Sequence, residues 1–373
     1  MSNVTEKQIV AALKTIIEPA KQRDIVSLDM VSGLVVKDGN VGFTIEVDPA
    51  VGNKMEPLRK AAEKAVYDLP GVVSVTAVLT AEKSAGSAPR QQTAPRTGGG
   101  SANKPLVPGV RSIVAVASGK GGVGKSTTAA NLALALATLN LRVGVLDADI
   151  YGPSQPRMLG ISGRPGSPDG KILTPLEGYG VKCMSMGFLV AEDTPMIWRG
   201  PMVTSALNQM LRDVAWGELD ILIVDMPPGT GDAQLSMSQQ VPLTGVVIVS
   251  TPQDIALLDA RKGLNMFRKV DVPVLGIVEN MSTFICANCG HETHIFSHGG
   301  ARNEAEKLGV DFLGELPLDI EIRETSDGGR PIVVSHPDSP YAQTYVAIAR
   351  QVWDKVSTRL SSGDRQAQKI VMQ

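Results

Sequence analysis

Consecutive apolar residues recur along this chain in short runs, and longer stretches of helical spacing separate them. The runs Ile113–Ala117, 143–146, 222–224, 246–250 and 274–278 read as strands covered on both faces. The first leads into residues 128–135, Thr-Ala-Ala-Asn-Leu-Ala-Leu-Ala, which read as a helix. Strands alternating with helices predict an α/β unit, a mostly parallel sheet with helices on both faces. Its last helix is expected around 345–356, where an apolar stripe with mixed charge suits packing on a core. Ahead of this unit the pattern changes scale. Val10, Leu13, Ile16 and Ile17 form a helical stripe, and strand-like runs at 33–36 and 41–47 flank the turn Asp38-Gly39-Asn40. A helix over about 55–69 and a strand over 72–78 complete a small α/β unit. Residues 81–108 are rich in Ser, Gly, Pro, Gln and Thr without apolar period, the composition of a flexible tether. The predicted organisation is a small domain at 1–82, a linker at 83–109, a large domain at 110–360 and a frayed tail at 361–373.

A length of 373 residues agrees with two domains, and a net charge of −2 gives no support to binding nucleic acid or an anionic membrane. No 18-residue apolar run occurs, and Met1-Ser2-Asn3-Val4-Thr5-Glu6 lacks the layout of a signal peptide. Three cysteines, two of them close together, suit a reducing cytoplasm and metal or redox chemistry better than a disulfide framework.

The large unit carries its chemistry at strand ends. Ser118-Gly119-Lys120-Gly121-Gly122-Val123-Gly124-Lys125-Ser126-Thr127 lies between the first strand and its helix, the context a P-loop requires. Glycines let backbone N–H groups turn toward a polyphosphate, and the helix N-terminus adds its dipole. Gly119 to Thr127 therefore predict a nucleoside triphosphate site, with Lys125 on the β- and γ-phosphates and the Ser126 hydroxyl on Mg²⁺. The run Ile221-Leu222-Ile223-Val224 ending at Asp225 has the Walker B layout, with Asp225 at the same Mg²⁺. Met226-Pro227-Pro228-Gly229-Thr230-Gly231-Asp232 follows it and suits a switch loop. Another buried strand ends at Asp147-Ala148-Asp149, with both acids in the crevice that such strands face or else capping a helix.

Lys120 is not needed by an ordinary P-loop. With it the loop resembles the deviant Walker A motif of the MinD/ParA/nitrogenase iron protein class. That resemblance implies a homodimer sandwiching two ATP molecules, with Lys120 reaching the partner's nucleotide. It also implies that Asp149 positions the attacking water and that Asp147 supports it or the Mg²⁺ shell. Asn280 would meet the adenine edge, with backbone contacts from 314–319. By its chemistry alone Asn280 is equally a turn residue.

Cys286-Ala287-Asn288-Cys289-Gly290 is the second signal, since C-x-x-C turns both sulfurs toward one metal and the glycine allows a tight knuckle. A redox dithiol, half an iron–sulfur site, two buried thiols, or zinc bound with His291 and His294 are all open readings. Two thiolates do not complete a four-cysteine shell, but two chains related by a dyad do. On the homodimer the resemblance implies, Cys286 and Cys289 would hold half of a shared 4Fe–4S cluster.

The deviant P-loop, the stretch Asp147-Ala148-Asp149-Ile150-Tyr151-Gly152-Pro153-Ser154, Trp198-Arg199-Gly200-Pro201, the switch loop and the cysteine segment together resemble the Mrp/ApbC family over 110–355. That family comprises iron–sulfur cluster carrier ATPases. The resemblance implies slow ATP hydrolysis coupled to cluster loading or transfer, catalytic roles for Lys120, Lys125 and Asp149, and apo iron–sulfur proteins and assembly scaffolds as partners. Residues 1–80 are similar to the small domain of metal–sulfur cluster assembly proteins. They depart from it where a cysteine is common, because Val47-Asp48-Pro49-Ala50-Val51-Gly52-Asn53-Lys54-Met55-Glu56-Pro57-Leu58 has none. A MinD/ParA-like positioning ATPase and a nitrogenase-iron-protein-like electron donor are the rival readings. Cys183 and the methionines at 184, 186, 196, 202 and 210 are expected in the core, and His336 on a surface loop.

Overall fold

The computed structural model describes residues 4–19, 21–28, 30–37, 40–47, 55–72, 74–80, 107–168, 170–190 and 200–362. The chain divides into two compact units, with the boundary at residues 99–100. The tether expected at 83–109 lies outside the described residues up to 106, as do the tail from 363, Trp198, Arg199 and Met196.

In the first unit α1 (Glu6–Leu13) starts at Thr5, which with Gln8 forms a capping box. A short hairpin, β1 (Ile17–Glu18) and β2 (Arg23–Asp24), follows. The sheet comprises β3 (Val31–Lys37), β4 (Asn40–Glu46) and β5 (Ser74–Thr80), with β3 antiparallel and β5 parallel to β4. The parallel pair needs a crossover, and α2 (Glu56–Tyr67) supplies it. Ile9, Leu13, Ile25, Ile45, Ala62 and Val66 are buried to the last per cent in its core. The helical stripe differs from expectation at its end. Ile17 lies beyond the helix, in β1, and is 49% exposed; Ile9 takes the buried position. The turn expected at 38–40 is outside the described residues except for Asn40.

The second unit is built on one eight-stranded sheet. In chain order its elements are β6 (Ile113–Ala117), α3 (Lys125–Thr138), β7 (Val143–Asp147), α4 (Gln155–Met158), β8 (Leu176–Gly178), β9 (Val181–Ser185), α5 (Gly200–Arg212) and β10 (Ile221–Asp225). They continue as α6 (Asp232–Gln240), β11 (Gly245–Ser250), α7 (Asp254–Lys269), β12 (Val274–Asn280), β13 (Phe284–Ile285), β14 (Glu292–Thr293), α8 (Gly300–Leu308), β15 (Phe312–Leu316), α9 (Ile320–Asp327), α10 (Ile332–Ser335) and α11 (Pro340–Ser361). Across the sheet the order is β15-β12-β11-β6-β10-β7-β9-β8, and only β8 runs antiparallel, at one edge. The five expected strands are present, four of them one or two residues longer than expected; β8, β9 and β15 are additional. The strand order reverses about β6, so the crevice for a ligand opens at the carboxyl ends of β6, β10 and β7.

Strand side chains alternate between two cores. Ile113, Ala115 and Ala117 join Trp216, Leu264 and Phe267 on one face. Val114 and Val116 join Leu132, Leu136 and Tyr345 on the other. Tyr345, Ile348, Ala349, Val352 and Val356 bury the inner stripe of α11, as the sequence predicts. Cys183, Met184, Met186 and Met210 are core residues, the first two on β9, Met186 at the start of the 3₁₀ turn that follows it and Met210 on α5. The core also reaches back to Val107, ahead of the boundary expected at 110.

Candidate functional site

β6 delivers the glycine loop into the crevice. Gly122 and Gly124 hold φ of +79° and +82°, a left-handed backbone that a β-carbon disfavours. Gly124 is the residue before α3, so the helix begins at Lys125 with its positive end toward the loop. Gly119 is glycine for another reason. A β-carbon there would lie 2.2 Å from the Asp259 carbonyl carbon in α7, so that helix packs directly on the loop backbone.

The charged groups converge behind the loop. Lys125, 6% exposed, donates from its Nζ to Asp225 Oδ1 and to Ser126 Oγ, the latter at 3.0 Å. Asp225 is fully buried at the end of β10. Its other oxygen accepts from Gln155 Nε2 at 2.8 Å, and the same amide donates to the Ser126 carbonyl at 3.0 Å. Asp147, at the end of β7, accepts from the N–H groups of Asp149, Ser154 and Gln155 at 3.2, 2.9 and 3.0 Å. The Ser185 hydroxyl adds a fourth bond at 3.0 Å. Burial, and next the negative charge of Asp225, push the Asp147 carboxyl up to about 7. Asp147 thus fastens residues 149–155 to β9. Asp149 is half-buried, accepts from the Gly152 N–H at 3.2 Å, and is shifted upward chiefly by burial, with Lys125 opposing.

Lys120 is half-buried and donates to Gln253 Oε1 of its own chain at 3.3 Å. The switch loop lies over the start of the P-loop, with the Gly229 N–H donating to the Ser118 carbonyl at 3.1 Å. Asn280 ends β12 and donates from Nδ2 to the Val123 carbonyl at 2.9 Å. In the segment 314–319, the Leu316 carbonyl accepts from the Ser282 N–H and the Leu318 N–H donates to Thr283, so these groups serve the base of the cysteine segment.

That segment leaves β12 as an excursion between Asn280 and α8. β13 and β14 pair antiparallel, and the knuckle between them is closed by Cys286 N–H to the His291 carbonyl at 3.0 Å and Gly290 N–H to the Cys286 carbonyl at 2.8 Å. Gly290 has a φ of +69°. The N–H groups of Cys289 and Asn288 hold the Cys286 thiol below its usual range, favouring the thiolate that binds metal. Cys286 is half-buried and Cys289 exposed. Among the described residues, no three of Cys286, Cys289, His291 and His294 bring ligand atoms within 4.8 Å of one another. Zinc held by these four side chains of one chain therefore gains nothing from the geometry.

The structure brings Gly119 to Thr127, Asp147, Asp149, Asp225 and Asn280 to one crevice and sets Cys286 and Cys289 on the excursion beyond it. Sequence reasoning missed Gln155, Ser185 and Gln253. Gln155 carried a signal, a polar residue just past the quoted Asp147-to-Ser154 motif and at the start of α4, but its burial is tertiary.

The profile of the NUBPL iron-transfer P-loop NTPase family matches residues 109–353, and that of an iron-sulfur cluster assembly protein matches 6–77. The iron-sulfur cluster carrier protein of Synechocystis sp. is 46% identical over 359 residues, 95% of this chain and 98% of its own length. The iron-sulfur cluster transfer protein NUBPL of Mus musculus is 58% identical over 248 residues, 66% of this chain and 78% of that protein. A nucleotide-binding protein of Archaeoglobus fulgidus, solved in complex with ADP, is 40% identical with a TM-score of 0.55, covering 62% of this chain and 90% of that one.

Proposed function

The chain belongs to the NUBPL iron-transfer P-loop NTPase family, and on that premise we propose that it is an ATP-hydrolysing carrier that accepts an iron–sulfur cluster and passes it to apo-proteins. One observation carries the reading: β12 joins the two sites. Its last residue, Asn280, is bonded to the P-loop at Val123, and the chain then runs directly into the cysteine knuckle.

At the nucleotide end, the amides of 121–124 and the ammonium of Lys125 hold the triphosphate. Lys125 must leave Asp225 to do so, which frees that carboxylate when the nucleotide arrives. Hydroxyl and carboxylate oxygens are the donors Mg²⁺ prefers, and Ser126 Oγ and Asp225 lie together about the Lys125 ammonium, so these residues fit the ion. Bound there, Mg²⁺ supplies charge neutralisation for the phosphates. Gln155 orients Asp225, and Asp147 holds the segment from which Asp149 orients the attacking water. Lys120 turns from Gln253 to the nucleotide of a second chain, and Asn280 keeps one amide hydrogen and its oxygen for the adenine edge. Partners are a second copy, assembly scaffolds and apo iron–sulfur proteins, in the cytoplasm. No helix among the described residues is long and apolar enough to cross a membrane. The small domain, without a cysteine, docks partners; transfer to every recipient unchanged by deleting residues 1–82 would refute that role.

At the cysteine end, Cys286 and Cys289 from two chains take a 4Fe–4S cluster as cargo. The test is anaerobic reconstitution with iron and sulfide. A broad visible absorption with about four irons per pair of chains, both lost in Cys286→Ala/Cys289→Ala, is the expected result. Colourless protein in both forms rejects the carrier reading.

A further inference from the structure

Three of the four histidines lie just beyond the cysteines, and the carrier reading uses none of them. One is placed with care. His298 stands between Ser297, at a φ of +78°, and Gly299, at +70°. A left-handed serine is uncommon, so the backbone is turned twice to set this one side chain. It comes to rest beside Glu279 and Glu315, and the ligand atoms of the three all lie within 4.8 Å of one another. We propose that Glu279, His298 and Glu315 bind a divalent transition-metal ion of the zinc type, which clamps the two ends of the cysteine excursion.

The carboxylates are adjacent by register. Glu279 and Glu315 are partners across β12 and β15, so their side chains leave the same face of the sheet. Neither forms an ion pair with a lysine or arginine among the described residues, and two acids side by side call for a cation. Glu279 is fully buried and is held open for one. Its oxygens accept the N–H groups of Gly299 at 3.0 Å and Ala301 at 2.6 Å, one bond each. A carboxylate has about four acceptor positions, so each oxygen retains one. No hydrogen bond or ion pair to His298 is made among the described residues; its ring packs on His294 with centroids 4.3 Å apart. Zinc-type ions bond imidazole nitrogen and carboxylate oxygen at about 2.0–2.2 Å, so side-chain movements of about an ångström would bring all three onto one ion. Imidazole in the set selects against Mg²⁺ and Ca²⁺. The exposed side of His298 leaves a position for water.

This ion is separate from both sites above. Asn280 faces the P-loop, so Glu279, its neighbour along the strand, faces away. Glu279 opens the excursion and His298 closes it, with Cys286 and Cys289 between them.

Co²⁺ titration of the full chain carrying Cys286→Ser and Cys289→Ser, without nucleotide, tests the site apart from the thiolates. We expect one equivalent, visible ligand-field bands, and displacement by Zn²⁺. His298→Ala and Glu315→Gln, checked for matched circular dichroism, should each weaken binding about ten- to hundred-fold. His298→Cys should keep the ion and add a thiolate-to-cobalt charge-transfer band, which a merely structural effect does not produce. Absence of saturable binding, or affinity unchanged in both the alanine and glutamine variants, overturns the proposal.

Discussion

The crevice at the ends of β7 and β10 and the excursion after β12 belong to one protein but are made by opposite means. In the crevice Asp147, Asp225, Lys125 and Gln155 are buried, and each is fixed by several partners. In the excursion Cys289, His291, His294 and His298 are exposed on the turns around two strands of two residues each, held by backbone bonds. Phosphoryl chemistry needs charges whose positions are set before the reaction, and burial among partners sets them. A cargo site has the contrary need, because the ligands must be reachable by another protein.

That contrast orders the expected effects of substitution. Lys125→Ala should lower ATP hydrolysis about 10²- to 10³-fold, measured as phosphate release, because the triphosphate loses its buried cation. Retention of the normal rate would break the comparison at its strongest point. Gly119→Ala drives a β-carbon into the α7 backbone, and the fold should lose about 2–3 kcal/mol in urea denaturation. Asp220 sharpens the picture at the far end of β10. Arg142 and Arg111 hold its carboxyl well below the ordinary range, hydrogen bonding from Arg142 being the largest cause. Because its folded pKa is depressed, its contribution is present above an unfolded value of about 3.9 and is lost as pH falls below that. Both arginines are half in water, so Asp220→Asn should cost only about 1 kcal/mol at neutral pH. The cost should vanish in acid, and an equal cost at both pH values would contradict the assignment. Cys286→Ser/Cys289→Ser should change stability least, by within about 0.5 kcal/mol, while abolishing iron retention. A large loss of stability would mean the knuckle is part of the core after all.

How far the sequence could be read follows the same division. Strands such as Ile113–Ala117 are legible because burial on both faces writes an unbroken apolar run. β9 escapes because Lys182 and Ser185 break its apolar run, and β15 because Gly314 and Glu315 do. The P-loop and C-x-x-C are local patterns, each complete within ten residues, and are read directly. The work of Asp147 is not. A strand ending in an acid marks the crevice, but three of its bonds depend on how the next eight residues turn back, and the fourth comes from Ser185 on β9, which only the fold brings near. Gly119 carries a second constraint that the motif does not announce: its missing β-carbon makes room for α7.

Strand β12 has one further consequence, for how the gene can change length. Adding or deleting one residue just before Glu279 would exchange the two faces, sending the amide of Asn280 toward α8 and the carboxylate of Glu279 toward the P-loop. An insertion beside Glu279 is therefore costly, whereas β12 absorbs one extra residue at its bulge near Leu275. Between Ile285 and Glu292 extra residues only lengthen an exposed knuckle and leave the sheet untouched. There the length is held by the cargo, which needs the two-residue spacing from Cys286 to Cys289, whereas the step from Glu279 to Asn280 is held by the sheet.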